Sequence, residues 1–392
     1  MPKSTQFRAL PQAAILPTVA VLLASMASPS FAKALSFEVL YNFTDGADGG
    51  SPYSGLLADN AGNLYGTTGY GGGDNLGVVF KLAPDGTETV LHSFTGGQAG
   101  GSPVAGLIQD PTGNLYGTTG GNGDAASVVF ELAPDGTYTV LHDFTNGSDG
   151  GFPNGSLLLD KKGNLYGTGV YGGAYGNGVV FELAPNGAET VLYSFSGGND
   201  GGSPYCNVIR DKAGNLYGTA SAGGADGAGV VFELAPNGAY TVLHSFTNAY
   251  DGGTPFAGLI MDKAGDLYGT AALGGAYGYG AVFKIAPGGA FTTLYYFTGG
   301  NDGGNPESNL TLDGAGNLYG TTLFGGADDN GVAFKLAPDG TETVLHGFTG
   351  GDDGGLTTSN LIKDPGQAGG YLYGTATLGG ADGYGVVFKV KK

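Results

Sequence analysis

Short apolar runs, each closed by a cluster of Asp, Asn, Pro and Gly, succeed one another from residue 37 onward. Their lengths and bounding residues are those of strands. In one unit, residues 54–59 form an apolar run ended by the tight turn Asn60-Ala61-Gly62, and residues 64–68 form a second strand. A glycine-rich loop at 69–77 leads to Val78-Val79-Phe80-Lys81-Leu82, a third strand of β-branched and aromatic type. Ala83-Pro84-Asp85-Gly86 is a hairpin turn, Pro presetting φ and Gly accepting positive φ. Residues 87–94 are the fourth strand, and a longer passage at 95–103 enters the next unit.

The unit recurs. The Tyr of Asn63-Leu64-Tyr65-Gly66-Thr67 returns at Tyr116, Tyr166, Tyr217, Tyr268, Tyr319 and Tyr373, at steps of 51, 50, 51, 51, 51 and 54 residues. Four short antiparallel strands in about 50 residues describe a propeller blade. A β-solenoid, the alternative, has shorter rungs and needs atypical capping repeats, which are not visible. The first strand occurs seven times (Leu56, Leu107, Leu157, Val208, Leu259, Leu310, Leu361), and so does the third. The fourth also occurs seven times, but its first copy, residues 37–43, precedes everything else, and the last repeat stops after its third strand, residues 385–390. The expectation is an all-β, seven-bladed propeller of four-stranded blades, closed by the N-terminal strand completing the C-terminal blade. Closure would remove the exposed edges of an open array.

The run Gly-Leu-x-x-Asp-x-x-Gly-Asn-Leu-Tyr-Gly-Thr, then Gly-Gly, then Gly-Val-Val-Phe-Lys-Leu-x-Pro-Asp-Gly, resembles the Gloeo/Verruco (GloVer) tandem repeat of exported bacterial proteins over residues 37–390. More distantly it is similar to NHL-type propeller blades. The resemblance implies a secreted or surface location and brings no catalytic residues. Some members carry C-terminal sorting anchors, which this chain lacks. The seventh repeat departs from the pattern, with three extra residues around Gln367-Ala368-Gly369-Gly370 and Thr357 in place of Pro.

Residues 1–32 read as a cleaved secretory leader: Lys3 and Arg8, an apolar run from 13 to 27, then Ser30-Phe31-Ala32 with small residues at −3 and −1. The run is too short for a membrane span of about 20 residues. Residues 33–392 are then one propeller domain, secreted, periplasmic or at the cell surface, with no membrane insertion after cleavage and no signal for assembly beyond a monomer. Thirteen basic against 34 acidic residues leave the mature chain at −21, which argues against nucleic acid and anionic membranes. The single Cys206 excludes an internal disulfide framework. Glycine, 81 of 392 residues, falls at fixed repeat positions, as turns require rather than disorder.

Strand order puts the Asp-x-x-Gly-Asn and Pro-Asp-Gly hairpins on one face, and the glycine-rich loops and blade crossovers on the other, where a ligand has room. The crossovers carry Asp48, Asp149, Asp200, Asp251, Asp302 and Asp353, each followed by Gly-Gly; the second repeat has Ala99 instead. Asp74, Asp124, Asp226, Asp328 and Asp382 add to this rim. Ca²⁺, a hard cation taking several carboxylate and carbonyl oxygens, is the functional reading of the six aspartates, with no other cofactor indicated. The competing reading is that each caps its own turn. Tyr70, Tyr171, Tyr175, Tyr277, Tyr279 and Tyr384 lie in the loops of the same face, where they would stack on a glycan or a protein partner, or simply cover the blade tops. His92, His142, His244 and His346 share one fourth-strand position with Tyr41, Tyr193 and Tyr295 and read as packing aromatics. No Ser-His-Asp set or P-loop is present. The expected function is a binding or interaction module. The rivals are a propeller enzyme of lyase or lactonase type with a channel-mouth metal, and a purely structural surface protein. Three or more non-equivalent polar groups converging on one cavity would overturn the preference for a binding module over the enzyme.

Overall fold

A computed structural model describes residues 36–121, 125–364 and 370–392. The expected leader lies outside these residues, as do Asp124 and most of the insertion in the seventh repeat. The described chain forms seven antiparallel four-stranded sheets. Blade 1 consists of Leu57–Ala58, Leu64–Thr68, Val78–Leu82 and Glu88–Ser93, and blades 2 to 6 repeat it. Blade 7 takes Ile362–Lys363, Tyr371–Ala376 and Val386–Lys391 from the C-terminal end and Phe37–Asn42 from the N-terminal end. Phe37 pairs with Val390 and Glu38 with Lys389, whose ammonium lies 2.9 Å from the Glu38 carboxylate. The closure expected from the strand count is the one observed.

The recurring Leu-Tyr-Gly-Thr explains how such small blades hold together. Its Leu (Leu64 in blade 1) is buried with Phe43, Leu56, Val78 and Phe80, and Val387 of blade 7 reaches the same cluster. Each apolar cluster spans two blades in this way, so blades stabilise one another. The Tyr hydroxyl donates to the Asp that begins the first hairpin, 3.1 Å for Tyr65 to Asp59. The Gly makes room: a Cβ on Gly66 would lie 2.6 Å from the Phe80 ring, and the same holds at Gly117, Gly167 and Gly269. The Thr hydroxyl crosses to the next blade and donates to a carbonyl: Thr67 to Ala105, Thr118 to Pro153, Thr168 to Cys206, Thr219 to Ala257, Thr270 to Ser308 and Thr321 to Ser359. Thr375 to Ser54 completes the belt across the chain ends, at 2.8 Å.

The third strand is buried at every position but the fourth, as expected for a strand packed on both faces. The fourth strand carries a bulge in every blade, at Leu91 in blade 1, which increases its local twist. The first strand is shorter than the apolar pattern suggests, with two paired residues rather than six. The residues before it leave the ladder because their carbonyls are taken by the threonine belt of the preceding blade. They line the ring axis instead.

Candidate axial and loop-face site

The six crossover aspartates share one geometry. Asp48 accepts from the Thr44 amide at 3.0 Å, the Thr44 hydroxyl at 2.5 Å and the Tyr41 hydroxyl at 3.1 Å. Asp200 receives the same set from Ser196 and Tyr193, and Asp302 from Thr298 and Tyr295. In the remaining copies an imidazole replaces the phenol, with Nε2 3.0 Å from Asp251 for His244, 2.8 Å from Asp353 for His346 and 3.5 Å from Asp149 for His142. Burial, opposed by the carboxylate, holds His244 and His346 below the usual imidazole range, so at neutral pH their two contacts are hydrogen bonds of neutral rings, while His142 Nε2 makes no hydrogen bond among the described residues. Burial would raise the Asp149 and Asp200 carboxyls, but the hydroxyl and amide donors outweigh it and lower them. The oxygens a Ca²⁺ would need are engaged by their own turn. Among the described residues, no three His, Cys, Asp or Glu side chains gather as metal ligands. Where Ala99 stands for Asp, the buried His92 Nε2 has no partner among the described residues.

The ring at this fourth-strand position also faces the next blade. His92 stacks on Tyr138 at 4.0 Å, Tyr193 on Tyr240 at 4.0 Å, His244 on Phe291 at 3.8 Å and His346 on Phe37 at 3.6 Å. In the other three blades this ring is replaced by Glu88, Glu189 or Glu342, each with a buried Oε1 that accepts no hydrogen bond among the described residues. Burial, and then the neighbouring crossover carboxylate, pushes Glu88 and Glu342 up to about 7 and raises Glu189.

All six loop-face tyrosines are exposed, but they do not form one group. Tyr70 meets Tyr53 with ring centroids 6.4 Å apart and Tyr171 hydrogen-bonds Tyr205, and both partners line the axis. Tyr175, Tyr277, Tyr279 and Tyr384 stand on the glycine-rich loops and are not part of that lining. The positions equivalent to Tyr70 and Tyr171, each bridged to a crossover glycine, hold Leu273, Phe324 and Leu378, also exposed. The two remaining equivalent positions hold Gly121 and Ala222, so large exposed side chains stand at five of the seven. The aliphatic members gave no sign in a search for sugar-stacking residues, although their place in the repeat would have shown them. Tyr250, 73% exposed on a crossover, was likewise missed.

At the centre is a cavity of about 360 Å³ lined by all seven blades. Its walls are the two or three residues after the crossover proline. At the first of these positions stand Tyr53, Val104, Asn154, Tyr205, Phe256, Glu307 and Thr358 in blade order. Two positions further in come Gly55, Gly106, Ser156, Asn207, Gly258, Asn309 and Asn360. The small residues are needed: a Cβ on Gly55 would lie 1.7 Å from Asn360 Oδ1, and one on Gly258 2.2 Å from Asn207 Oδ1. Asn309 donates to Asn207 at 2.8 Å and accepts from the Gly258 amide at 2.5 Å. These polar groups differ from blade to blade, unlike the aspartates of the rim. Glu307 is the one carboxylate among them, and burial raises it to about 6.

A search of curated proteins gives no match. Among solved structures, the chain is similar to the extracellular domain of a presumed hybrid two-component system of B. thetaiotaomicron. The TM-score is 0.58 at 14% identity, over 90% of this chain and 39% of that one. The chain thus spans about two fifths of that protein's length. It is also similar to a presumed 6-phosphogluconolactonase of Bacteroides uniformis (TM-score 0.51, 19% identity, 82% of this chain and 89% of that one). Kuenenia stuttgartiensis hydrazine synthase is a third (0.57, 14%, 87% and 96%). At these identities the likeness is one of fold. The profile of one repeat family matches residues 30–158, 124–266 and 259–392. With matches running from residue 30 to residue 392, the chain belongs to the Gloeobacter/Verrucomicrobia repeat family.

Proposed function

We propose that this protein is an exported, monomeric binding module whose ligand, a glycan or a protein segment, docks on the loop face at the mouth of the axial cavity. The observation that carries the reading is the asymmetry of the axis. Turn-forming residues repeat from blade to blade, whereas the first cavity-lining position holds Tyr, Val, Asn, Tyr, Phe, Glu and Thr, an asymmetry suited to recognising one ligand. Tyr70 and Tyr171 join the exposed rim to that lining. The net negative charge and the likeness to an extracellular domain accord with export.

The enzyme reading keeps one specific support, because several non-equivalent polar groups do converge on the cavity and one similar structure is a presumed lactonase. Its weakness is chemical. Apart from the Tyr53 and Tyr205 phenols, whose pKa values are raised, the lining offers amides, hydroxyls and a single carboxylate. An acid–base pair needs two groups poised near neutrality. Binding of the purified protein to a glycan array, repeated with Tyr171→Ala and Tyr70→Ala and with Lys263→Ala on the opposite face, tests the proposal. Loss of a bound glycan in the first two variants only is expected. Retention in both tyrosine variants would place the site elsewhere, and turnover of a lactone by the purified protein would favour the enzyme.

A further inference from the structure

From the residues that line the axial cavity we infer that it takes a small organic cation, an ammonium group held between aromatic rings and the Glu307 carboxylate. This rests on the reading of the axis as a ligand site and assigns the cavity interior its own ligand chemistry, distinct from the glycan or protein segment proposed for its mouth.

Three features argue for it. The first is the absence of an internal partner. Glu307 has no hydrogen bond or ion pair among the described residues, and no Lys, Arg or His lines the cavity. Its half-buried carboxylate is partly withdrawn from water, and a bound cation would supply the partner it lacks. Equivalent positions in the other blades are neutral, so no turn or blade contact requires an acid there. The second is the arc of rings. Phe256, one blade before Glu307, meets Tyr205 edge-on with centroids 5.3 Å apart and planes at 81°, giving two walls of a corner. On the other side Thr358 donates its hydroxyl to the Tyr53 carbonyl at 3.0 Å, which ties that blade to the Tyr53 segment. Ring faces attract cations, and a corner of rings with a carboxylate beside it is the arrangement that recognises quaternary ammonium groups. The third is size. A cavity of about 360 Å³ is at the low end of ligand pockets, roughly 300 to 1,000 Å³, and suits a small molecule better than an oligosaccharide. The strongly negative mature chain would also raise the local concentration of cations.

The titratable groups facing Glu307 across the cavity are Tyr53 and Tyr205, both raised by burial and neutral below pH 8; the Cys206 thiol is turned into its own blade against the Thr219 backbone. Only Glu307 changes charge between pH 5 and 7.5 in this lining. With its carboxyl near 6, about one tenth would be ionised at pH 5 before a cation binds, and affinity would fall about tenfold from its value at pH 7.5.

Calorimetric titration of the purified protein with choline, and with its neutral isostere 3,3-dimethylbutan-1-ol, tests the inference. We expect one choline per chain with millimolar or tighter affinity, no measurable binding of the isostere, and tenfold weaker choline binding at pH 5. Glu307→Gln should weaken choline binding at least tenfold at pH 7.5 and abolish its pH dependence. Phe256→Leu, which keeps the volume apolar, should weaken it without altering the pH dependence. Unchanged melting of each variant confirms folding. Equal binding of the isostere, or choline binding indifferent to Glu307→Gln, would overturn the cation assignment while leaving the cavity as a ligand site. No choline binding by the folded wild-type protein would also overturn it, whatever the glycan array shows.

Discussion

Three glutamates at blade interfaces should lower the stability of this propeller in mild alkali relative to mild acid, and their replacement should abolish that contribution. Glu88, Glu189 and Glu342 each place a buried, unbonded Oε1 near a crossover aspartate of the preceding blade, where four other blades place an aromatic ring. Glu88 and Glu342 titrate at about 7 in the folded chain against 4.5 for the free side chain. The folded state thus binds the proton more tightly than the unfolded state. The stabilisation that results is fully present below about 4.5 and is lost as pH rises through 7. Fully expressed, such a shift corresponds to roughly 3 kcal/mol per residue. These side chains are only half-buried, and solvent screening reduces that to about 1 kcal/mol each. The triple variant Glu88→Gln, Glu189→Gln, Glu342→Gln removes the charge and keeps the shape. At pH 8 Glu88 and Glu342 should together contribute a gain of about 2 kcal/mol over the wild type, or about 3 °C in Tm at the unfolding entropy typical of a chain this long, with Glu189 adding in the same direction. At pH 4.5 the two should melt together. Differential scanning calorimetry across that range reads the difference directly. A variant that is destabilised at pH 8, or a Tm difference that does not change with pH, would refute the reasoning.

Other outcomes follow from the same contacts. Thr219→Val removes the hydroxyl that reaches the Ala257 carbonyl and leaves that buried oxygen unpaired, so chemical denaturation should show a loss of about 1–3 kcal/mol. Ala99→Asp should supply the partner that His92 lacks and His244 and His346 possess. It should stabilise by about 1 kcal/mol and raise the His92 pKa followed by NMR. Millimolar Ca²⁺ and EDTA should leave the melting temperature unchanged, because the crossover carboxylates are occupied by their own turns; a rise with Ca²⁺ that EDTA reverses would return them to metal binding.

The sequence was most informative where the fold repeats. Strand periodicity, Pro-Asp-Gly turns and an orphan fourth strand at residues 37–43 were enough to infer seven blades and their closure. The fixed glycines were readable as turns, but not the second reason for Gly66 and its equivalents, which is the Phe ring of the next strand. That contact is between strands and leaves no local mark. The axial site was hidden for a related reason. Residues 53–55 and their equivalents look like the start of an apolar strand, and only the structure shows them leaving the ladder to face the axis. The signal was nevertheless present in the variation: Tyr, Val, Asn, Tyr, Phe, Glu and Thr at one repeat position, directly after a Pro shared by six of the seven copies. Attention to the recurring aspartates favoured the positions that every blade needs for its turn. Function in a repeat protein is better sought where the copies disagree.

The most direct test of the axial cavity as the binding site is amide hydrogen exchange of the purified protein with and without saturating choline. Slowed exchange confined to the cavity-lining segments at 53–55, 205–207, 256–258 and 307–309 is the predicted result. Slowed exchange at the crossover aspartates or on the hairpin face, or an unchanged pattern throughout, would contradict the account.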